Sequence, residues 1–130
     1  MVGLLEPPRL SGLIKLEEDP SYCREEVTVL AGSGSDRVLT LGTVLGRLTA
    51  SAKVIDLALT ATDGSQTVYG VLLTNTTAPD GVDAPGVALV RGPAIVADLA
   101  LVYPAGATAT QKATINSALA GLGIVVRSGV

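Results

Sequence analysis

The apolar residues of this 130-residue chain occur in short runs separated by turn residues, and this pattern constrains the fold most. Val27–Ala31, Thr43–Thr49 and Val68–Thr74 have the length and the β-branched content that are typical of strands. Between them lie turn-forming stretches such as Gly32–Asp36 and the pair Asp63-Gly64, because glycine and aspartate tolerate turn conformations. The pattern predicts many short strands.

One segment near the C-terminus has a helical period instead. Apolar residues at i, i+3, i+4 and i+7 form one face, namely Ile115, Ala118, Leu119 and Leu122. Thr108 or Thr110 suits the N-cap position, and Gly121 suits the end of the helix. We therefore expect a helix up to about Ala120, followed by a strand at Ile124–Arg127.

The composition predicts an aliphatic core and a tendency to associate. The chain has no Phe or Trp and only three Tyr, although 48% of its residues are hydrophobic and only 16% are charged. Apolar surface that a single domain leaves exposed usually marks an interface. The alternative is that alanine and glycine raise the apolar fraction without forming any patch.

Residues 1–26 differ from the rest of the chain. Pro7-Pro8 and Pro20 interrupt any regular element, and Glu17-Glu18-Asp19 is a charged cluster. We expect residues 1–26 to be a flexible N-terminal arm and residues 27–130 to be a β-rich domain. The predicted fold class is mainly β: a small β-clip or β-barrel-like domain with one C-terminal helix and an extended N-terminal arm.

Several classes of function are disfavoured by what the chain lacks. Without histidine it cannot build a Ser-His-Asp or Cys-His nucleophile, and Cys23 alone cannot supply the usual zinc ligands. The net charge of −3, with scattered basic residues, disfavours nucleic-acid binding. No apolar run approaches the ~18 residues that span a membrane. We therefore expect no enzyme, no cofactor, no metal site and no small-molecule substrate.

Four segments of the chain, in their order and spacing, resemble the head decoration proteins of tailed bacteriophages, the lambda gpD-like family. These segments are Leu41–Thr49, Asp63–Leu73, Val87–Val96 and the closing helix-to-strand unit Thr110–Arg127. The resemblance covers roughly residues 24–130. It rests on the four segments together, because each segment alone consists of common residues.

The resemblance implies a role on a virus particle. Members of this family are expected to sit as homotrimers on the outside of the matured icosahedral head, where they stabilise it against the pressure of packaged DNA. The implied partner is the major capsid protein, and the implied place is the outer surface of the virion, assembled in the bacterial host cytoplasm. The arm is expected to be disordered alone and to become ordered on the capsid protein.

Val27, Thr28, Val29 and Leu30 are the candidate capsid-binding residues. A strand at the edge of a sheet can extend a neighbour's sheet through its unpaired backbone groups. This run directly follows the predicted arm, which would bring it to the capsid. The alternative, that it is an internal strand of the domain, remains equally open on the sequence alone.

A second class of function is a small β-barrel binding or carrier module of a larger assembly. A lipoyl-type carrier needs a modifiable lysine at the tip of a hairpin, and Lys53 is the only candidate. Its surroundings, Ala52 and Val54, differ from such a site. An added prosthetic group, seen as extra intact mass, would identify this class.

Overall fold

The strands of this protein form three sheets in the computed structural model, which describes residues 10–128. Ten strands lie in this part of the chain: β1 (Ile14–Glu17), β2 (Arg24–Val29), β3 (Arg37–Leu39), β4 (Val44–Arg47), β5 (Val54–Asp56), β6 (Val68–Leu72), β7 (Thr76–Ala78), β8 (Ala84–Leu89), β9 (Ala94–Ala97) and β10 (Ile124–Arg127). The helices are α1 (Leu10–Leu13), α2 (Pro20–Cys23) and α3 (Ala109–Gly121), and a 3₁₀ helix at Asp98–Ala100, here called the 98–100 turn, follows β9. The predicted mainly-β class is confirmed.

Five strands close into a barrel in the order β2-β5-β4-β6-β8. β2 runs antiparallel to β8 along its whole length, from the pair Arg24 and Leu89 to the pair Val29 and Ala84. The barrel interior is aliphatic, as the composition predicts. Its fully buried side chains include Val29, Leu45, Val54, Leu72 and Ala88.

The remaining strands form two smaller sheets. β9 is the central strand of the sheet β1-β9-β10, with β1 antiparallel and β10 parallel to it. This sheet and α3 enclose a second aliphatic cluster, which includes Leu13, Val96, Ile115, Leu119 and Ile124. β3 pairs with β7 in a separate two-stranded sheet.

The start of α3 agrees with its predicted cap. The Thr108 side chain accepts a hydrogen bond from the Gln111 amide, and the Gln111 side chain accepts one from the Thr108 amide, so both form a capping box. The helix extends one residue further than expected, because Gly121 is still helical and Leu122 is the C-cap. Gly123, with φ +88°, then takes the left-handed conformation that turns the chain into β10.

The N-terminal segment differs from the extended arm that the sequence predicts. From residue 10 onward it is folded against the domain, and the side chains of Leu13 and Cys23 are completely buried. The physical reason is that Leu13 and its apolar neighbours pack against the aliphatic core of the domain. The free energy gained by burying them offsets the conformational entropy that is lost when the segment becomes ordered. Residues 1–9 of the predicted arm lie outside the described residues. The behaviour of the arm in solution stays a prediction.

Three connections complete the fold. The segment after Thr74 contains β7, which pairs with β3. The turn-forming stretch Gly32–Asp36 joins two different sheets, since β2 belongs to the barrel and β3 pairs with β7. β9 ends at Ala97, where the 98–100 turn begins.

We expect Gly46→Ala to destabilise the protein by about 1–3 kcal/mol, because small-to-large changes in packed regions force backbone shifts. A Cβ at Gly46 in β4 would overlap the backbone of Ser65. Gly121→Ala is the matched control, since a Cβ there meets no atom within 4 Å and alanine favours a helix. Urea unfolding of both variants checks this, and equal midpoints for the two would contradict the packing argument.

Candidate functional site

The candidate residues Val27, Thr28 and Val29 lie in β2, which is one of the five strands that form the closed barrel. Their strand is fully paired with β8, so that edge is not available to a partner. On its other side β2 pairs with β5 only at Val29, and the Leu30 amide donates to the Val54 carbonyl oxygen at 3.0 Å. The part of β2 before Val29 therefore keeps one edge that no described strand covers. Contact of these residues with a capsid stays a prediction.

Val27 and Thr28 also line an open cleft of about 550 Å³. Its other lining residues are Glu26, Thr74, Asn75, Thr76, Pro85, Gly86 and Val87. Val29, in contrast, points into the barrel core and is fully buried. The structure thus brings two of the four predicted residues to a concave surface and directs a third away from it.

The polar groups of this cleft are partly used by the protein's own backbone. The hydroxyl of Thr74 lies 3.0 Å from that of Thr76 and accepts a hydrogen bond from the Val87 amide at 3.3 Å. The Asn75 side chain accepts a hydrogen bond from the Leu41 amide at 2.8 Å. Among the described residues that line the cleft, Glu26 alone is ionisable.

A second surface feature joins two of the three tyrosines to two arginines; we call it the tyrosine–arginine cluster (Tyr22, Glu25, Arg47, Tyr69 and Arg91). The guanidinium carbon of Arg47 lies 4.8 Å from the centre of the Tyr69 ring, and that of Arg91 lies 5.0 Å from the centre of the Tyr22 ring. Glu25 links the two pairs, since it accepts hydrogen bonds from Arg91 at 2.8 Å and from the Tyr69 hydroxyl at 3.4 Å. Tyrosine and arginine are enriched in binding hot spots.

Glu25 and Arg91 of this cluster shift each other's pKa. The hydrogen bond from Arg91 holds the pKa of Glu25 below its ordinary value of 4.5, with a smaller contribution from the Arg91 charge. The same hydrogen bond raises the pKa of Arg91. Glu25 therefore stays ionised over a wider range of pH than a free glutamate.

The cluster also connects the N-terminal segment to the barrel. Arg91 donates a hydrogen bond to the carbonyl oxygen of Tyr22, and nearby Arg24 makes a two-pronged ion pair with Glu17 at 2.7 and 2.8 Å. The Glu17 side chain is only 6% exposed, so this pair is better shielded from water than an ordinary surface salt bridge. Sequence reasoning missed the cluster. The one signal for this cluster in the sequence is that the three tyrosines are the only aromatic residues of the chain.

The residues considered for other chemistry can be located within residues 10–128. No group of three or more Cys, Asp or Glu side chains in this range is arranged to hold a metal ion. Cys23 is buried, with its Sγ 3.9 Å from the Pro93 carbonyl oxygen. The candidate carrier residue Lys53 is in an ion pair with Asp83 at 2.6 Å. Within the same range, no helix has the length and apolarity needed to cross a membrane.

The segments that resemble the decoration proteins are in direct contact with each other. Gly46 of the first segment packs on the Ser65 backbone of the second, where a Cβ would overlap it. Gly92 of the third donates its amide to the Leu122 carbonyl oxygen of the fourth at 3.0 Å, and the Ala94 amide donates to Gly123 at 3.1 Å. The order and spacing of the segments therefore reflect the packing of one domain.

A closed five-stranded barrel that carries exposed tyrosine–arginine contacts is a small mainly-β domain with a candidate binding surface. The chain belongs to the family of the bacteriophage lambda head decoration protein D, whose family model matches residues 3–124. This confirms the resemblance found in the sequence, and capsid decoration is the role that the family carries. A comparison with curated proteins found no match.

Glu25→Gln is expected to lower the urea midpoint at pH 7, because it removes the carboxylate that Arg91 binds. The pKa of Glu25 is depressed in the folded protein, so its contribution to stability is complete above about pH 4.5 and is lost as the pH falls through the lower folded pKa. The difference between variant and wild type should therefore disappear in strongly acidic buffer. Glu26→Gln, at an exposed neighbour outside the cluster, is the control. A pH-independent difference for Glu25→Gln would contradict this explanation.

Proposed function

We propose that this protein is a structural decoration protein that binds as a homotrimer to the outside of the expanded phage head and reinforces it against the pressure of packaged DNA. The observation that supports this proposal most directly is the family match, which covers residues 3–124. In this proposal the partner is the major capsid protein. The protein is not an enzyme, needs no cofactor, and binds neither nucleic acid, membrane nor small molecules. It is assembled onto the head in the bacterial host cytoplasm.

The open edges of the domain support binding to other protein chains. β1 and β10 are the outer strands of their sheet, and each has one edge that no described strand covers. The segment of β2 before Val29 has another. An uncovered edge offers backbone donors and acceptors to a strand of a partner. A flanking pocket, such as the cleft lined by Val27 and Thr28, can bind the side chains of that strand and so give specificity.

Trimer formation supports tight binding from modest contacts. Once one subunit has bound a threefold position of the shell, the other two meet their sites at high effective concentration, so their binding is effectively intramolecular. The net charge of −3 and the small number of charged residues are compatible with a protein that covers part of its surface in an assembly.

The proposed arm now has two parts of different character. Residues 10–26 carry buried side chains of the domain, among them Leu13 and Cys23, so their removal would expose the core. Residues 1–9 precede α1 and are the part that can be removed without deleting a described contact. The proposal places the first capsid contact of the arm in residues 1–9. β2 follows as a second contact if residues 10–23 detach.

Purified protein should co-sediment with expanded heads at micromolar concentration and bind little to unexpanded heads. The reason is that the proposed sites are formed by the matured arrangement of capsid subunits. Sedimentation followed by quantification of the pellet measures this, and analytical ultracentrifugation of the free protein measures the trimer. Equal binding to both forms of the head, or no binding to either, would contradict the proposal.

Deletion of residues 1–9 should weaken head binding at least tenfold, because the proposed arm contact is lost. The deletion stops before Leu10 and the buried Leu13, so it spares the described core, and the unfolding midpoint of the variant is measured beside its binding. A variant with residues 1–9 replaced by a glycine–serine segment of equal length separates sequence from length. Full binding by the deletion variant would show that the arm is not a capsid contact.

A further inference from the structure

One arginine of the tyrosine–arginine cluster has no ion pair among residues 10–128. Arg47 is exposed at the end of β4, where its guanidinium group stacks on the Tyr69 ring. The single carboxylate of the cluster, Glu25, is in an ion pair with Arg91 instead. With two arginines and one glutamate, the cluster carries one positive charge in excess, although the whole chain has a net charge of −3.

A stacked guanidinium group without a counter-ion is suited to bind a carboxylate. The Tyr69 ring restricts the orientations of Arg47, so less conformational entropy is lost when a partner binds it. The planar fork of an arginine can donate two parallel hydrogen bonds to a carboxylate. Tyr22, which is 59% exposed, adds apolar ring area to the same cluster. The surface that fits the cluster therefore presents carboxylates next to apolar side chains.

A surface of that chemistry lies elsewhere on this chain, and we call it the acidic corner (Asp36, Val38, Asp80 and Val82). The Asp80 amide donates to the Asp36 carboxylate at 3.1 Å, and the Asp80 carboxylate accepts a hydrogen bond from the Gly34 amide at 2.9 Å. Neither aspartate is in an ion pair within the described residues. Val38 and Val82 are 64% and 56% exposed. The corner thus joins two carboxylates that lack a cation to exposed apolar surface.

The cluster and the acidic corner are separate surfaces of the domain. Glu25 and Arg91 lie at the end of the strand pair where β2 begins and β8 ends, whereas the loops that hold Asp36 and Asp80 lie beyond the other end. A contact between two different surfaces of identical chains is heterologous, and it closes into a ring when the rotation between neighbours permits. A trimer with threefold symmetry is built from contacts of this kind, whereas a twofold dimer joins the same surface of both copies.

We propose that the tyrosine–arginine cluster of one copy binds the acidic corner of the next copy in the homotrimer, with Arg47 between the carboxylates of Asp36 and Asp80. This inference rests on the proposed function, which it deepens by naming the surfaces that join the subunits. Each contact brings the excess positive charge of the cluster to two carboxylates, and such complementarity fixes the register of the partners. The tyrosine rings and the two valines supply the apolar area of the contact.

Charge reversal at either surface tests this inference in the full chain. Arg47→Glu and Asp80→Lys should each weaken association of the trimer at least about tenfold, because each variant places like charges in contact. The variant that carries both changes should regain the trimer, since the reversed pair is complementary again. Sedimentation velocity over a range of protein concentrations measures the association.

Lys112→Glu is the matched control. It makes the same change of charge at another cation stacked on a tyrosine, because the Lys112 amine lies 5.4 Å from the centre of the Tyr103 ring. The trimer should persist in this variant. The unfolding midpoint and the binding to expanded heads are measured for every variant. Asp36→Lys replaces Asp80→Lys if the loss of the hydrogen bond to Gly34 lowers that midpoint.

The alternative results separate this inference from the proposed function. A folded Arg47→Glu variant that associates like wild type, or a double variant that stays dissociated, would overturn the inference and leave capsid decoration in place. Loss of head binding by Arg47→Glu with an intact trimer would assign the cluster to the capsid contact, which also contradicts it. A monomeric wild-type protein would refute both this contact and the proposed homotrimer. A trimer that responds as expected but binds no head would contradict the capsid role alone.

Discussion

The contact between Gly92 and Gly123 is the constraint on which the arrangement of the domain depends. The two backbones approach so closely that a Cβ on Gly92 would overlap the Gly123 carbonyl. Gly92 follows β8, a strand of the barrel, and Gly123 directly precedes β10, so the contact holds these two parts of the domain together. The N-terminal segment uses the same place, since the Glu18 amide donates to the Pro93 carbonyl oxygen at 3.0 Å and the Cys23 thiol lies against the same oxygen. Barrel, helix-to-strand unit and N-terminal segment therefore meet at one junction.

Elements whose stability is local could be predicted from the sequence. α3 is an example, because Thr108 and Gln111 supply its capping box without help from the rest of the fold. β6 is another, since a continuous apolar run can be buried on both faces. β1 and β7 were missed because their pairing with β9 and β3 is set by distant segments. Neither four residues of β1 nor three of β7 carry a period that distinguishes a strand from a loop.

The candidate site was predictable only in part, for a related reason. The run Val27–Val29 identifies a strand, but the sequence does not reveal which strands lie beside it. Pairing with β8 along the whole length, and with β5 only at Val29, is a property of barrel closure. The tyrosine–arginine cluster combines residues from α2, β2, β4, β6 and the connection after β8, so no spacing in the sequence marks it. The family resemblance could be found because it depends on order along the chain rather than on contacts.

The aliphatic core and the exposed tyrosines have a common consequence for function. With no Phe or Trp, the core is closed by small and branched side chains, and Tyr22 remains on the surface, 59% exposed. Its contact with Arg91 fastens the N-terminal segment through interactions that lie near water, where they are weak singly. Leu13 and Cys23 fasten the same segment through burial. A partner that detaches residues 10–23 must replace both kinds of contact, whereas one that grips only residues 1–9 leaves them intact. The second route costs less free energy, because the contacts of residues 10–23 stay in place.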